Sequence, residues 1–233
     1  MPDITIPASD NSGSFGAYVA KPQSGDRWPG LILIQEIFGV NRNMRNWADT
    51  LAAQGYYCVV PDLFWRQQPG VQLTDQTKEE WDKAFALMNG FNIDKGVEDL
   101  TTTLKWLRAQ PDCTGKVGDV GFCLGGRLAV LMSTRTDIDA SVSYYGVFLD
   151  NLVNEFGNIR KPLLMHVAEL DKYATPDKRA IYEPVLKALA PVEYHLYVEA
   201  DHAFARIGGE HYNAEAAKLA NDRTAAFLHL HLS

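Results

Sequence analysis

The chain has 233 residues, 46% apolar and 22% charged, and its 22 Lys and Arg against 29 Asp and Glu give a formal charge of −7. That balance excludes wholesale disorder, and an acidic excess with no basic stretch argues against a nucleic-acid partner. Three cysteines make no disulfide framework, which suits a reducing compartment.

At the amino terminus, Met1 to Asp10 carries the acidic Asp3 and no apolar core segment, so no secretory signal is expected. The longest aliphatic runs, such as Leu31-Ile32-Leu33-Ile34, fall far short of the ~18 residues of a membrane span. A cytoplasmic protein with no membrane partner is the expectation. Along the chain, short β-rich runs alternate with helix-length segments. Runs at 14–21, 29–36, 56–62, 116–122, 139–146, 162–169 and 192–200 read as strands, several of them apolar on both faces as buried parallel strands are. The segment from Trp47 to Gln54 ends at Gly55, a helix stop. A second helix is predicted around 76–89. Over 92–110, Ile93, Val97, Leu100, Leu104 and Leu107 form one helical stripe. Thr175-Pro176 reads as an N-cap with proline at the first helical position. Strands separated by helices imply right-handed crossovers, hence an α/β fold: a single domain over 1–233 with a mostly parallel central sheet and helices on both faces. The segment 64–91 is longer than a minimal crossover and is expected to fold over the carboxyl ends of the strands.

The sharpest motif is Gly121-Phe122-Cys123-Leu124-Gly125-Gly126, placed after one predicted strand and before a predicted helix. It is the nucleophile-elbow pattern of α/β-hydrolases with cysteine in place of serine. A nucleophile there sits on a strained turn, which is why small residues are needed at Gly121 and Gly125. The adjoining helix N-terminus favours a thiolate on Cys123, and the Leu124 N–H is aimed at the oxyanion of an acyl intermediate. The plainer alternative makes Cys123 a small buried residue, as Cys58 is expected to be, while Cys113 reads as a turn residue.

Chain order in this fold runs nucleophile, acid, histidine. Asp171 follows the run 162–169, and His202 follows the run 192–200, the positions of orienting acid and general base. His166 reads as packed and hydrogen-bonded within a strand, His195 as an alternating strand residue, and His229 and His231 as part of a C-terminal tail. No cofactor is expected, and no spacing suggests a metal site. After the run 29–36, the Ile37 N–H is placed to supply a second oxyanion donor. Glu36, a carboxylate at that strand end, needs a cationic partner, a shifted pKa or a role as base unless it merely caps an exposed loop. Arg206 follows His202 by four residues, so one helical turn would set both on one face, with the guanidinium free for Glu36 or a substrate carboxylate.

Together with Gln35-Glu36-Ile37-Phe38-Gly39-Val40-Asn41, Pro61-Asp62-Leu63 and Tyr144-Tyr145-Gly146-Val147, these motifs resemble the dienelactone hydrolases, cysteine-dependent α/β-hydrolases, over essentially the whole chain. The resemblance implies hydrolysis of 4-carboxymethylenebut-2-en-4-olide (dienelactone) to maleylacetate in chloroaromatic breakdown, through a thioester on Cys123. It gives His202 and Asp171 the proton handling, and it pairs Glu36 with Arg206 until a substrate carboxylate displaces Glu36 to deprotonate Cys123. It places Phe38, Trp81, Phe85, Tyr145 and Arg206 at the substrate, a small and anionic lactone or ester, in a monomeric enzyme. The chain departs from the family at Trp81, where an arginine is typical, at Phe85, where tyrosine is usual, and at Ala203, where serine usually follows the histidine. All three changes remove a polar group, although Trp81, Phe85 and Met88 also read as a core-facing helical stripe. Lys78 or Lys83 is an alternative cation. The competing functions are a carboxylesterase with a less polar pocket, a cysteine peptidase, and a thiol-sensing or ligand-binding scaffold without turnover.

Overall fold

Leu31, Ile32, Leu33 and Ile34 are all fully buried, as are Val59 and Val60. Residues apolar on both faces with β-branched character form strands that are covered on both sides, and here they do. The computed structural model describes residues 4–233, and the chain divides into two compact units, the first ending at Asp119 and the second running from Val120 to Ser233. Asp3 lies outside the described residues.

The first unit holds β1 (Ile4–Pro7), β2 (Ser14–Ala20), β3 (Trp28–Ile34), α1 (Arg42–Ala53), β4 (Tyr57–Pro61), α2 (Lys78–Asn89), α3 (Ile93–Arg108) and most of β5 (Cys113–Phe122). β1 pairs antiparallel with β2 and β2 with β4, whereas β3 and β4 are parallel, with Leu31 opposite Cys58. The second unit holds α4 (Leu124–Arg135), β6 (Ala140–Tyr144), a 3-10 segment (Leu149–Asn158), β7 (Leu163–Ala168), α5 (Pro176–Lys187), β8 (Val192–Tyr197) and α6 (Ala214–Leu232). There β6 pairs with β7 and β7 with β8, both parallel. The strand order of the eight-stranded sheet is β1-β2-β4-β3-β5-β6-β7-β8. This is the expected α/β fold with a mostly parallel sheet.

The predicted helices over 76–89 and 92–110 are α2 and α3, and the α3 stripe buries Val97, Leu100, Leu104 and Leu107. Asp99 is buried on the same helix and takes Arg66 in a bidentate pair, with Nη2 to Oδ1 at 2.7 Å and Nε to Oδ2 at 3.0 Å. The Trp65 indole N–H donates to the same carboxylate at 2.8 Å, so the start of the 64–91 segment is pinned to α3. Fork geometry on a buried carboxylate fixes direction as well as position.

Several expectations need correction. The last residues are no tail: His229 and His231 lie in the final turn of α6, which buries Ala220, Thr224, Phe227 and Leu228. Its apolar residues sit among small and polar ones, so the helical period is weak in the sequence. Cys113 is no turn residue but the buried first residue of β5. Thr175 precedes α5 with Pro176 at its first turn, yet its side chain makes no capping bond. Cys58 is core as expected. β1 is a strand of four residues that carried no sequence signal.

Candidate active site

β5 ends at Phe122 and α4 begins at Leu124, leaving Cys123 alone on the turn with φ 56 and ψ −114. A non-glycine residue with positive φ is strained, and this one is held by its surroundings. Its N–H donates to the Tyr144 carbonyl at 3.0 Å, and its own carbonyl accepts from the Arg127 N–H at 3.1 Å. A Cβ on Gly121 would come within 2.0 Å of the Gly125 carbonyl oxygen, so glycine is required there to let α4 start where it does. The Leu124 N–H lies in the first residue of α4, the terminus whose dipole stabilises negative charge.

Asp171 and His202 sit on the loops after β7 and β8, neighbouring parallel strands, so both reach the same end of the sheet. His202 Nδ1 is 2.7 Å from Asp171 Oδ2, and the Tyr173 N–H donates to Asp171 Oδ1 at 2.7 Å. Each oxygen of this fully buried carboxylate therefore has a partner. The two loops are tied together: the Leu170 N–H donates to the Ala200 carbonyl at 2.9 Å and the Glu199 N–H to Glu169 Oε2 at 2.9 Å. Buried Arg179 locks the acid loop from α5, donating to the carbonyls of Glu169 and Ala174 at 2.7 Å each. The His202 ring is packed edge to face by Tyr173 at 4.8 Å and by Tyr145 at 5.3 Å, with Phe204 behind Tyr145 at 5.5 Å. Phe204 stands with Arg206 in the motif that carries the family resemblance, whereas Tyr173 has no role in the sequence reading, although Asp171-x-Tyr173 is the spacing at which an aspartate side chain accepts from the backbone two residues on.

Burial alone would lower the His202 pKa, but the Cys123 sulfur within hydrogen-bonding reach and the Asp171 carboxylate outweigh it and raise it from 6.5 to about 10. Burial, with Cys123 and Asp171 nearby, pushes the Tyr173 phenol up, so it stays a neutral hydroxyl. His166 behaves oppositely. It is fully buried, as expected, between the Tyr197 hydroxyl at 2.8 Å on Nδ1 and the Thr224 hydroxyl at 2.9 Å on Nε2, and burial holds its pKa well below 6.5. A base raised in the folded state stabilises the fold below its unfolded pKa and loses that contribution as pH climbs through the folded value; a base lowered in the folded state destabilises as pH falls below its unfolded value. The melting temperature is thus expected to fall from neutral pH toward pH 10 through His202 and to fall below pH 6.5 through His166. Melting curves across that range check this: His202→Gln should flatten the alkaline limb and His166→Gln the acid one.

Arg206 is buried, 9% exposed, but the residues from His202 to Arg206 do not form a helical turn as expected. Ala203 takes φ 65, and the Arg206 N–H donates to the Ala203 carbonyl, making a tighter turn.

In the first unit, Glu36 is not an exposed cap: it is 2% exposed at the end of β3. Ile37 and Phe38 follow, both buried. Gln35 anchors this segment, its Oε1 accepting from the Leu63 N–H at 3.2 Å. Trp81 packs edge to face on Phe38 at 5.0 Å and stacks on Phe85 at 5.5 Å. The core-facing residues of α2 are Ala84 and Leu87, whereas Trp81, Phe85 and Met88 are half-buried. The aromatic pair is thus a wall over the Phe38 segment and not a core stripe. Lys78 is engaged in an exposed i,i+4 pair with Asp82, and Lys83 is exposed. Among the described residues no cluster of His, Cys, Asp or Glu is arranged to hold a metal ion, and no helix is long and apolar enough to cross a membrane.

Comparison with known proteins bears on this arrangement. The model of the dienelactone hydrolase family matches residues 15–232. A carboxymethylenebutenolidase of Pseudomonas putida is 39% identical over 97% of this chain and 94% of its own. An Azospirillum brasilense protein provisionally given the same name is 52% identical over the whole of both chains. A crystal structure of a provisional dienelactone hydrolase from Klebsiella pneumoniae superposes with a TM-score of 0.85 at 26% identity, covering 97% of this chain and 96% of that one. The chain therefore belongs to the dienelactone hydrolase family of ester hydrolases.

Proposed function

We propose that this protein hydrolyses a small carboxylated enol-lactone of the dienelactone type through a thioester on Cys123. The observation that carries the reading is the 2.7 Å bond from Asp171 to His202, whose ring lies in reach of a cysteine held at positive φ on a strand-to-helix turn. A packing cysteine needs neither the strain nor the orienting acid, and a thiol sensor needs no acid.

The Cys123 sulfur attacks the lactone carbonyl, a C–S bond forms, and the ring C–O bond breaks. The electron pair leaves on the enol oxygen, which takes the proton of the charged His202 ring, and the enol tautomerises to the ketone. Water then adds to the thioester while His202 accepts its proton, and the returning thiolate leaves. The Leu124 and Ile37 N–H groups hold the oxyanion in both steps. Glu36 takes the Cys123 proton and Arg206 takes the substrate carboxylate. Their burial supports this, because a buried ion needs compensating charge. Tyr145 orients the His202 ring and faces the acyl group. The chain works as a monomeric single domain in the cytoplasm, with the 64–91 segment covering the site and no cofactor.

The Trp81–Phe85–Phe38 wall favours a second, narrower reading: the pocket prefers a less polar lactone or ester than its relatives take. Restoring a cation by Trp81→Arg is expected to raise kcat/KM for dienelactone relative to a neutral aryl ester by about tenfold or more, since hydrogen bonds to charge are worth roughly 1.5–3 kcal/mol. Rates on the two substrates, followed by absorbance, check it. No change in the ratio would remove Trp81 from the substrate's surroundings, and loss of both activities would make the wall structural.

A further inference from the structure

The first unit contains a cavity of about 250 Å³ that none of the residues assigned above lines. Its walls are Ala17 and Tyr18 of β2, Val40 before α1, Arg45 of α1, Asp62 after β4, and Val71. The lining is mainly apolar, and the volume is just under the range usual for drug-sized ligands, so it suits a single ring.

The cavity is cross-braced. Asp62 Oδ2 accepts from the Gly70 N–H at 2.7 Å and Oδ1 from the Phe64 N–H at 3.1 Å, which folds the 62–72 loop back on the end of β4. Gly39 and Gln72 form an antiparallel bridge, the Leu73 N–H donates to the Phe38 carbonyl at 2.9 Å, and the Asn41 side-chain amide donates to the Leu73 carbonyl at 3.0 Å. Gly39 has φ 75, and a Cβ there would come within 2.0 Å of the Val71 carbonyl oxygen, so the two segments are in closest backbone contact. Such walls are preformed and do not collapse into the space.

Among the described residues, Arg45 Nε is a buried side-chain polar atom of the lining with no hydrogen-bond partner. The Tyr18 hydroxyl donates to Asp49 at 2.7 Å, and each Asp62 oxygen has a backbone donor. The Arg45 guanidinium lies 5.5 Å from the Tyr18 ring, a cation–π contact, and its Nε is buried with no acceptor among the described residues. A buried N–H without an acceptor is costly, and a guanidinium presents a fork that fits a carboxylate. From a guanidinium that lines the cavity without a carboxylate partner among the described residues, the apolar walls and the single-ring volume we propose that this cavity is a second ligand site, taking a small monocarboxylate with one planar ring, its carboxylate on Arg45 and its ring against Val40 and Val71. The Asp62 charge disfavours a second carboxylate on the ring. The inference does not depend on the chemistry proposed at Cys123.

Benzoate is the probe, titrated calorimetrically into the full chain carrying Arg206→Gln, so that the proposed substrate clamp does not contribute. Saturable one-site binding is expected, at least about tenfold weaker for neutral benzamide and for Arg45→Gln, with Arg45→Lys in between because a point charge replaces the fork. Melting curves show that each variant is folded. If Arg45→Gln does not fold, the benzamide and Arg45→Lys comparisons carry the test. Absence of saturable binding at millimolar benzoate, or equal affinity for benzamide and benzoate, or affinity indifferent to the residue at 45, overturns the proposal.

Discussion

Cys123→Ala is expected to lower kcat/KM for ester and lactone hydrolysis by at least about a thousandfold while leaving the melting temperature within a few degrees of wild type. The rate effect follows from losing the proposed nucleophile, after which residual turnover reflects binding and oxyanion stabilisation alone. The stability expectation follows from the geometry. Residue 123 bears the strain of φ 56 whichever small side chain it carries, and alanine keeps the backbone bonds to Tyr144 and Arg127. Cys123→Gly relieves that strain and should melt no lower than Cys123→Ala while being equally inactive. Steady-state kinetics beside calorimetric melting separate the two effects. A Cys123→Ala enzyme that turns over normally, or one that fails to fold, would return Cys123 to the role of packing residue.

Asp171→Asn is expected to reduce kcat by roughly a thousandfold to ten-thousandfold, in line with what an orienting acid contributes in serine-type triads. The asparagine fits the same space and its Oδ1 still accepts from the Tyr173 N–H, so the acid loop keeps its form. What changes is the partner of His202 Nδ1: a carboxylate that fixes the tautomer and favours the charged ring is replaced by a neutral amide. The same substitution should lower the His202 pKa from about 10 and shift the alkaline limb of the stability profile toward neutral pH. Kinetics and melting curves on one preparation read both consequences. Unchanged kcat would remove Asp171 from the catalytic relay.

The parts of this site that were legible in the sequence are those fixed by local chemistry. Glycines around Cys123 report a turn that no side chain tolerates, and the order Cys123, Asp171, His202 reports three loops at strand ends. Buried strands were legible because they are apolar on both faces, and α3 because its stripe is regular. What was hidden depends on long-range packing. Tyr173 meets His202 only because the loops after β7 and β8 are bonded to each other through Leu170, Ala200, Glu169 and Glu199. The half-buried stack of Trp81 on Phe85 has the same spacing as a core stripe, and only the burial of Ala84 and Leu87 tells which face points inward. α6 escaped notice because small and polar residues interrupt its apolar face. The tight turn at Ala203 has no glycine to announce it.

The proposed thioester puts the acyl group on the Cys123 sulfur, where it can be looked for by mass. Enzyme quenched in acid while turning over a saturating activated ester, with His202→Gln alongside to slow release, is digested with trypsin and mapped by mass spectrometry. The acyl mass is expected on Cys123 within the peptide Val117–Arg127 and to accumulate further in His202→Gln. An acyl group on another residue, or product release by both proteins with Cys123 unmodified throughout, would contradict the thioester and the mechanism built on it.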